Sequence, residues 1–179
     1  MLSSEAAAAP PEAVAEAKAL LRVALADEDD LIAALMAAAV ELCEQFTRQV
    51  MLARVFTETL CAAPQWQRLS ATPVRSISGV EALTVDGSAV ALGPEAYAID
   101  IDANGDGWVR VTAPGAARRV RVAYQAGLAA EWSKLPEALR HGTLRLAAFL
   151  YAHRDAGAEA GPPAAVTALW RPWRRMRLG

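Results

Sequence analysis

Leu31, Leu35, Ala38, Leu42 and Phe46 recur at spacings of three and four, with Ile32, Met36, Ala39, Cys43 and Val50 beside them. Apolar positions at that period make one face of an α-helix. The stripe is wide, so a central helix is predicted from about residue 30 to Gln49. The preceding "ADEDD" (26–30) marks its start. Asp27 suits the N-cap, and Glu28, Asp29 and Asp30 fill a first turn where the helix dipole favours negative charge. These acids read as a cap rather than a catalytic set. A shorter helix is predicted over 11–23, with a proline near its first turn and Val14, Ala17 and Leu21 on one face. The ten residues before it read as a loose arm.

From about residue 51 the period shifts from 3.6 to 2. "MLARVFTETL", "VRSISGVEALTV", "SAVAL", "EAYAIDI", "GWVRVTA" and "RRVRVAYQAG" are short alternating runs separated by Gly and Pro, with a turn at Asp86-Gly87. This is the pattern of a small antiparallel β unit. In the last run Val120, Val122 and Tyr124 share one face, and Arg119 and Arg121 the other. Helical spacing returns over 136–156 with Leu139, Leu146 and Leu150, and with Leu135, Ala147, Phe149 and Tyr151 close by. Gly142 inside that helix costs about 1 kcal/mol relative to Ala and predicts a close helix crossing. A linker (157–163), a short helix "AAVTALW" (164–170) and a tail "RPWRRMRLG" complete the chain. The predicted fold is α+β, one domain over 1–179: a small bundle of three to four helices with an antiparallel β unit inserted between the second and third. N-terminal helices occupy 11–50, the β unit 51–127, C-terminal helices 136–170 and an extended tail 171–179.

Composition narrows the function. The apolar share of the 179 residues is 54%, but 42 residues are Ala, so helices that pack closely are expected rather than a membrane span. The longest apolar run, "LIAALMAAAV", stops at Glu41 after ten residues, and no secretion signal is expected at the N-terminus. Cys43 and Cys61 stand 18 apart with no C-x-x-C, and read as core thiols. Net charge is −2, unevenly spread: residues 1–50 hold nine acids and three bases, whereas 131–179 hold four acids and eight bases. Such a split suits head-to-tail contact with a copy, a partner at one end, or two ends that attract within one globule.

Little in the chain suits catalysis. His141 and His153 lie twelve apart, about 18 Å of helical rise, and no G-x-S-x-G, phosphate-cradling glycine loop or H-E-x-x-H is present. The chain reads as a non-enzyme without cofactor or metal. Two stretches remain. "DIDANGDG" opens like a twelve-residue calcium loop, with Asp100, Asp102, Asn104 and Asp106 and a Gly in sixth place. However, the twelfth position is Val111 where a carboxylate is needed, and the flanks are strand-like. Asn-Gly and Asp-Gly between such runs signal a β-hairpin, and the hairpin is the preferred reading over a calcium-dependent binding module. "LWRPWRRMRLG" carries two Trp and four Arg with no acid. Trp and Arg anchor interfaces, so docking of an extended tail on a protein partner is favoured. The other readings are packing of Trp170 and Trp173 on their own bundle and nucleic-acid contact through the arginines.

Together "AKALLRVALADEDDLIAALMAAAVELCEQFT", "PVRSISGVEAL", "YAIDI", "VRVAYQAGL…LPEALRHGTLRLAAFLYAHRD" and the closing "WRPWRRMRLG" resemble the head–tail connector (adaptor) proteins of tailed bacteriophages and phage-like gene transfer agents, over about residues 15 to 179. The hairpin tip "DANGDG" departs from that pattern. The resemblance implies a structural virion protein, assembled in the bacterial cytoplasm. It forms a ring, usually twelve-fold, on the portal, bears the next tail component and lets DNA pass without sequence recognition. It implies no membrane partner. Carried onto this chain, the portal grip falls on Trp170, Arg171, Trp173, Arg174, Arg175, Met176 and Arg177. Asp100, Asp102, Asn104 and Asp106 would form a loop facing the channel or a neighbour, where the aspartates would repel DNA phosphate. A neighbouring neck role, stopper or tail terminator, fits the same residues.

Overall fold

The computed structural model describes residues 1–4, 9–84, 87–154 and 162–175. The chain is α+β and divides into two compact units, a helical one built from Ala6–Leu52 and Ala129–Gly179, and a β unit from Met1–Glu5 and Ala53–Leu128.

The helical unit contains α1 (Pro11–Leu21), α2 (Asp29–Thr47), α3 (Glu137–Ala152) and α4 (Ala164–Trp170). α2 and α3 pack on each other, α1 packs on both, and α4 closes on α3 and α2. The face of α2 that enters this core is Ile32, Met36, Ala39, Val40, Cys43 and Thr47. The predicted stripe lies to one side of it: Leu35, Ala38, Leu42 and Phe46 are half-buried and Leu31 is 38% exposed. α2 has two adjacent apolar stripes, and only packing against three other helices selects between them. On α1 the buried positions are likewise Ala13 and Ala17. On α3, Leu139, Leu146 and Ala147 are buried as expected, together with Gly142 and Thr143.

The acids before α2 act through tertiary contacts. The N-cap position is Glu28, which makes no side-chain cap, and Asp27 is exposed. Instead the Asp29 carboxylate pairs with Lys18 of α1, and Glu28 accepts the Tyr151 hydroxyl of α3. Partners on neighbouring helices displace the local cap. α1 and α2 both end in a left-handed residue, Arg22 (φ 58°) and Arg48 (φ 57°), a position usually given to Gly.

In the β unit, β1 (Leu2–Ser4), β2 (Arg54–Cys61), β8 (Arg119–Ala126), β4 (Val74–Leu83) and β5 (Ala89–Ala91) form one antiparallel sheet in that order. β3 (Gln67–Arg68), β7 (Gly107–Val111) and β6 (Tyr97–Ile101) form a second. β8 is central, paired from Arg54↔Ala126 to Cys61↔Arg119 on one side and with β4 on the other. Two register shifts in β4, at Val74/Ser76 and Ile77/Gly79, are bulges that bend it. Val120, Val122, Tyr124 and Ala126 are buried and Arg119 is exposed, as the alternation predicts. The N-terminal arm is not loose over residues 2–4: Leu2 pairs with Glu58 and Ser4 with Phe56. Backbone hydrogen bonding to an open sheet edge holds Leu-Ser-Ser, a segment with no apolar pattern to announce it. Of the predicted Asp86-Gly87 turn, Asp86 lies outside the described residues. Gly87 has φ 87° and donates its N–H to Thr84 O at 3.0 Å.

The core of this unit holds a carboxylate. Glu58, 4% exposed, accepts hydrogen bonds from Ser70 N–H (2.9 Å), Ser70 Oγ (2.5 Å) and the Tyr124 hydroxyl (2.9 Å). The Tyr124 oxygen in turn accepts from Ala71 N–H at 3.1 Å. The network ties residues 70–71 to the sheet, and burial pushes the Tyr124 hydroxyl well above its ordinary pKa. Of the two cysteines, Cys43 is in the core but Cys61, at the end of β2, is exposed. Position 61 ends β2 out of phase with Phe56 and Glu58, which carry that strand's buried face.

Candidate partner-binding surfaces

The C-terminal segment is built from α4 and a 3-10 turn over Arg171–Trp173. Trp170 is the last residue of α4 and is fully buried. Its indole lies 5.8 Å from the Phe46 ring and packs against Gly142, whose lack of a side chain makes room for it. Trp170 is therefore a core residue of its own unit and not a partner contact. An aromatic at the end of a seven-residue helix has too little other apolar surface to hold that helix down, so the indole serves as its anchor.

After Trp170 the chain turns along the end of α2. Gln49 Nε2 donates to Trp173 O at 2.5 Å, and Arg175 N–H donates to Thr47 O at 2.9 Å. That second bond satisfies a carbonyl in the last turn of α2. The Arg174 guanidinium stacks over Phe46, 5.7 Å from the ring centroid. Arg171 and Arg174 are exposed, Trp173 and Arg175 are half-buried, and Arg48 is exposed beside Thr47. Cations thus collect at the negative end of the α2 dipole. Met176 and Arg177 lie outside the described residues. Residues 171–175 are a braced strap with an exposed cationic side. Phe46, Gln49 and Thr47, which position it, carry no sequence signal for that role.

The acidic stretch is the predicted hairpin between β6 and β7, with Ile101 opposite Gly107. Its tip is closed by Asp102. Oδ1 accepts from Asn104 N–H (2.8 Å) and Asp106 N–H (3.0 Å), and Oδ2 accepts from Trp108 Nε1–H at 3.2 Å. Asp106 is half-buried and pairs with Arg68 at 3.4 Å. Only Asp100 and Asn104 of the four are fully on the surface. A Cβ on Gly105 (φ 75°) would come within 2.8 Å of Pro73, so the turn needs glycine for both backbone and space. Of the side chains that would hold an ion in a calcium loop, Asp102 is spent on the turn itself and Asp106 on Arg68. Among the described residues no group of three or more His, Cys, Asp or Glu is arranged to hold a metal ion. No described helix is long and apolar enough to cross a membrane. On α3, His153 stacks on Phe149 at 4.1 Å while His141 is exposed.

Comparison with known proteins gives a consistent answer at the level of structure. No protein-family model and no curated protein matches the chain. Solved structures do. A chain of the neck of an empty gene transfer agent particle, computed with sixfold symmetry, matches with TM-score 0.79 and 28% identity, covering 99% of this chain and 97% of the other. A chain from the virion of a native gene transfer agent particle matches with TM-score 0.77 and 27% identity. A chain of the native neck computed with twelvefold symmetry gives 0.76 and 26%. Coverage is the same in all three. The match spans both units end to end, so the resemblance seen in the sequence holds in three dimensions.

Proposed function

We propose, from the premise that this chain is of the head–tail connector kind found in phage-like particles, that it is a structural neck protein that forms a ring on the portal and joins the capsid vertex to the tail. The full-length likeness to chains of sixfold and twelvefold necks is the observation that carries this reading. A fragmentary match would leave the fold alone in common. Here helical unit, β unit and C-terminal strap are all covered.

The strap supplies the portal contact. Arg171, Trp173, Arg174 and Arg175 are held at the end of α2, and Met176 and Arg177 follow in sequence. Trp170 contributes indirectly, by anchoring the helix from which the strap departs. DNA passes through the ring without base recognition, and Asp100, exposed on β6 next to the hairpin tip, is the acid that would keep phosphate at a distance. The other face of the ring bears the next tail component.

The test is removal of the chain from cells that make the particles, followed by electron microscopy. Heads without tails are expected, restored by supplying the chain in trans. Tailed, intact particles in its absence would end the proposal.

A further inference from the structure

α2 and α3 each keep one stripe turned away from the helical core, and the two stripes carry opposite charge. Along α2 the exposed positions include Asp30, Ala34 and Glu41. Along α3 they include Glu137, His141 and Arg145, spaced by four, with Lys134 exposed just before the helix. Glu137 is paired to Arg140 at 2.7 Å, an arginine that also lies 3.9 Å from Glu16 of α1, and Lys134 and Arg145 are the exposed cations of that face. Because α2 and α3 bury their inner faces against each other and against the flanking helices, these stripes look out on different sides of one unit.

A closed ring requires two different faces of one chain to meet. We infer that the acidic outer stripe of α2 in one copy docks on the basic outer stripe of α3 in the next. Leu31, 38% exposed at the start of α2, adds apolar surface there, and Ala34 lets a second helix approach closely. Opposed charge sets the direction of the contact and disfavours α2 on α2 or α3 on α3. This rests on the ring reading above and specifies which surfaces build it.

Charge exchange tests it in cells that make particles and lack the native chain. One variant carries Asp30→Lys and Glu41→Lys, the other Lys134→Glu and Arg145→Glu. All four positions are on the surface, so both variants should fold; Asp30→Lys also reverses a charge in the first turn of α2, so the first variant should melt slightly below the parent and the second like it. Each alone presents like charges at every junction, and loss of tailed particles is expected. Supplied together they can alternate around a ring of even number, and tailed particles are expected to return. Undiminished tail attachment with either variant alone, or no return with both folded and present, would overturn the assignment of faces. Absence of the unaltered chain from the neck of purified particles would instead overturn the ring reading itself.

Discussion

The indole of Trp170 fills the place of a side chain at position 142. A Cβ built on Gly142 would lie 2.3 Å from Trp170 Nε1, well inside contact distance. This pairing turns the glycine penalty in α3 into the condition for docking α4. Gly142→Ala therefore destabilises the protein despite alanine's better helix propensity, because overpacking costs about 1–3 kcal/mol against a gain of about 1 kcal/mol. Trp170→Ala removes a buried indole and costs about 3–5 kcal/mol. Thermal melting checks both.

The strap is expected to separate from the core in function. Arg171→Glu with Arg174→Glu changes exposed side chains, so stability should fall by no more than about 1–2 kcal/mol, from the lost Arg174 stack on Phe46 and the α2 dipole, while attachment to heads is lost. Melting curves and tail counts read the two properties independently. A large fall in melting temperature would show that these arginines hold the fold.

The four polar positions of the hairpin tip have unequal roles. Asp102→Ala strands two backbone N–H groups and the Trp108 indole, a loss of about 1–3 kcal/mol, and should alter Trp108 fluorescence. Asp100→Asn should leave stability within about 0.5 kcal/mol of the parent and the Trp108 spectrum unchanged. Equal effects from the two would contradict the arrangement around Asp102.

Alkaline pH should loosen the β unit. The ordinary Tyr pKa is 10.0, and burial raises that of Tyr124 in the folded state. The unfolded chain thus gives up this proton first. Stability contributed by the neutral hydroxyl is complete below pH 10 and falls as pH climbs from there toward the folded value. Tyr124→Phe should flatten the slope of stability above pH 10 while lowering stability near neutrality by about 1–3 kcal/mol, since Glu58 and Ala71 N–H lose a partner. Denaturant titrations across pH 7 to 11 would show it.

The thiols should differ sharply. Burial pushes Cys43 from 9.0 up to about 12, and it sits inside the helical core. Cys61 is on the surface. One equivalent of a thiol reagent should react with the folded protein and the second only on unfolding. Mass spectrometry after labelling would identify the site.

Local pattern was enough for much of this molecule. The 3.6 and 2 periods located α2, α3 and the strands of the β unit other than β1 and β3, because burying one face of a helix or sheet imposes those spacings on the sequence. Asn-Gly and Asp-Gly marked the hairpin, and the lone glycine in α3 announced a crossing. Periodicity is silent about partners. It could not choose between the two apolar stripes of α2, since that depends on which helices surround it. It could not find β1, which is held by backbone pairing alone. It placed Trp170 among the interface residues because a Trp beside arginines looks the same whether the indole points out or in. Only the fold, by setting Gly142 and Phe46 against it, made Trp170 an anchor and left the arginines outside.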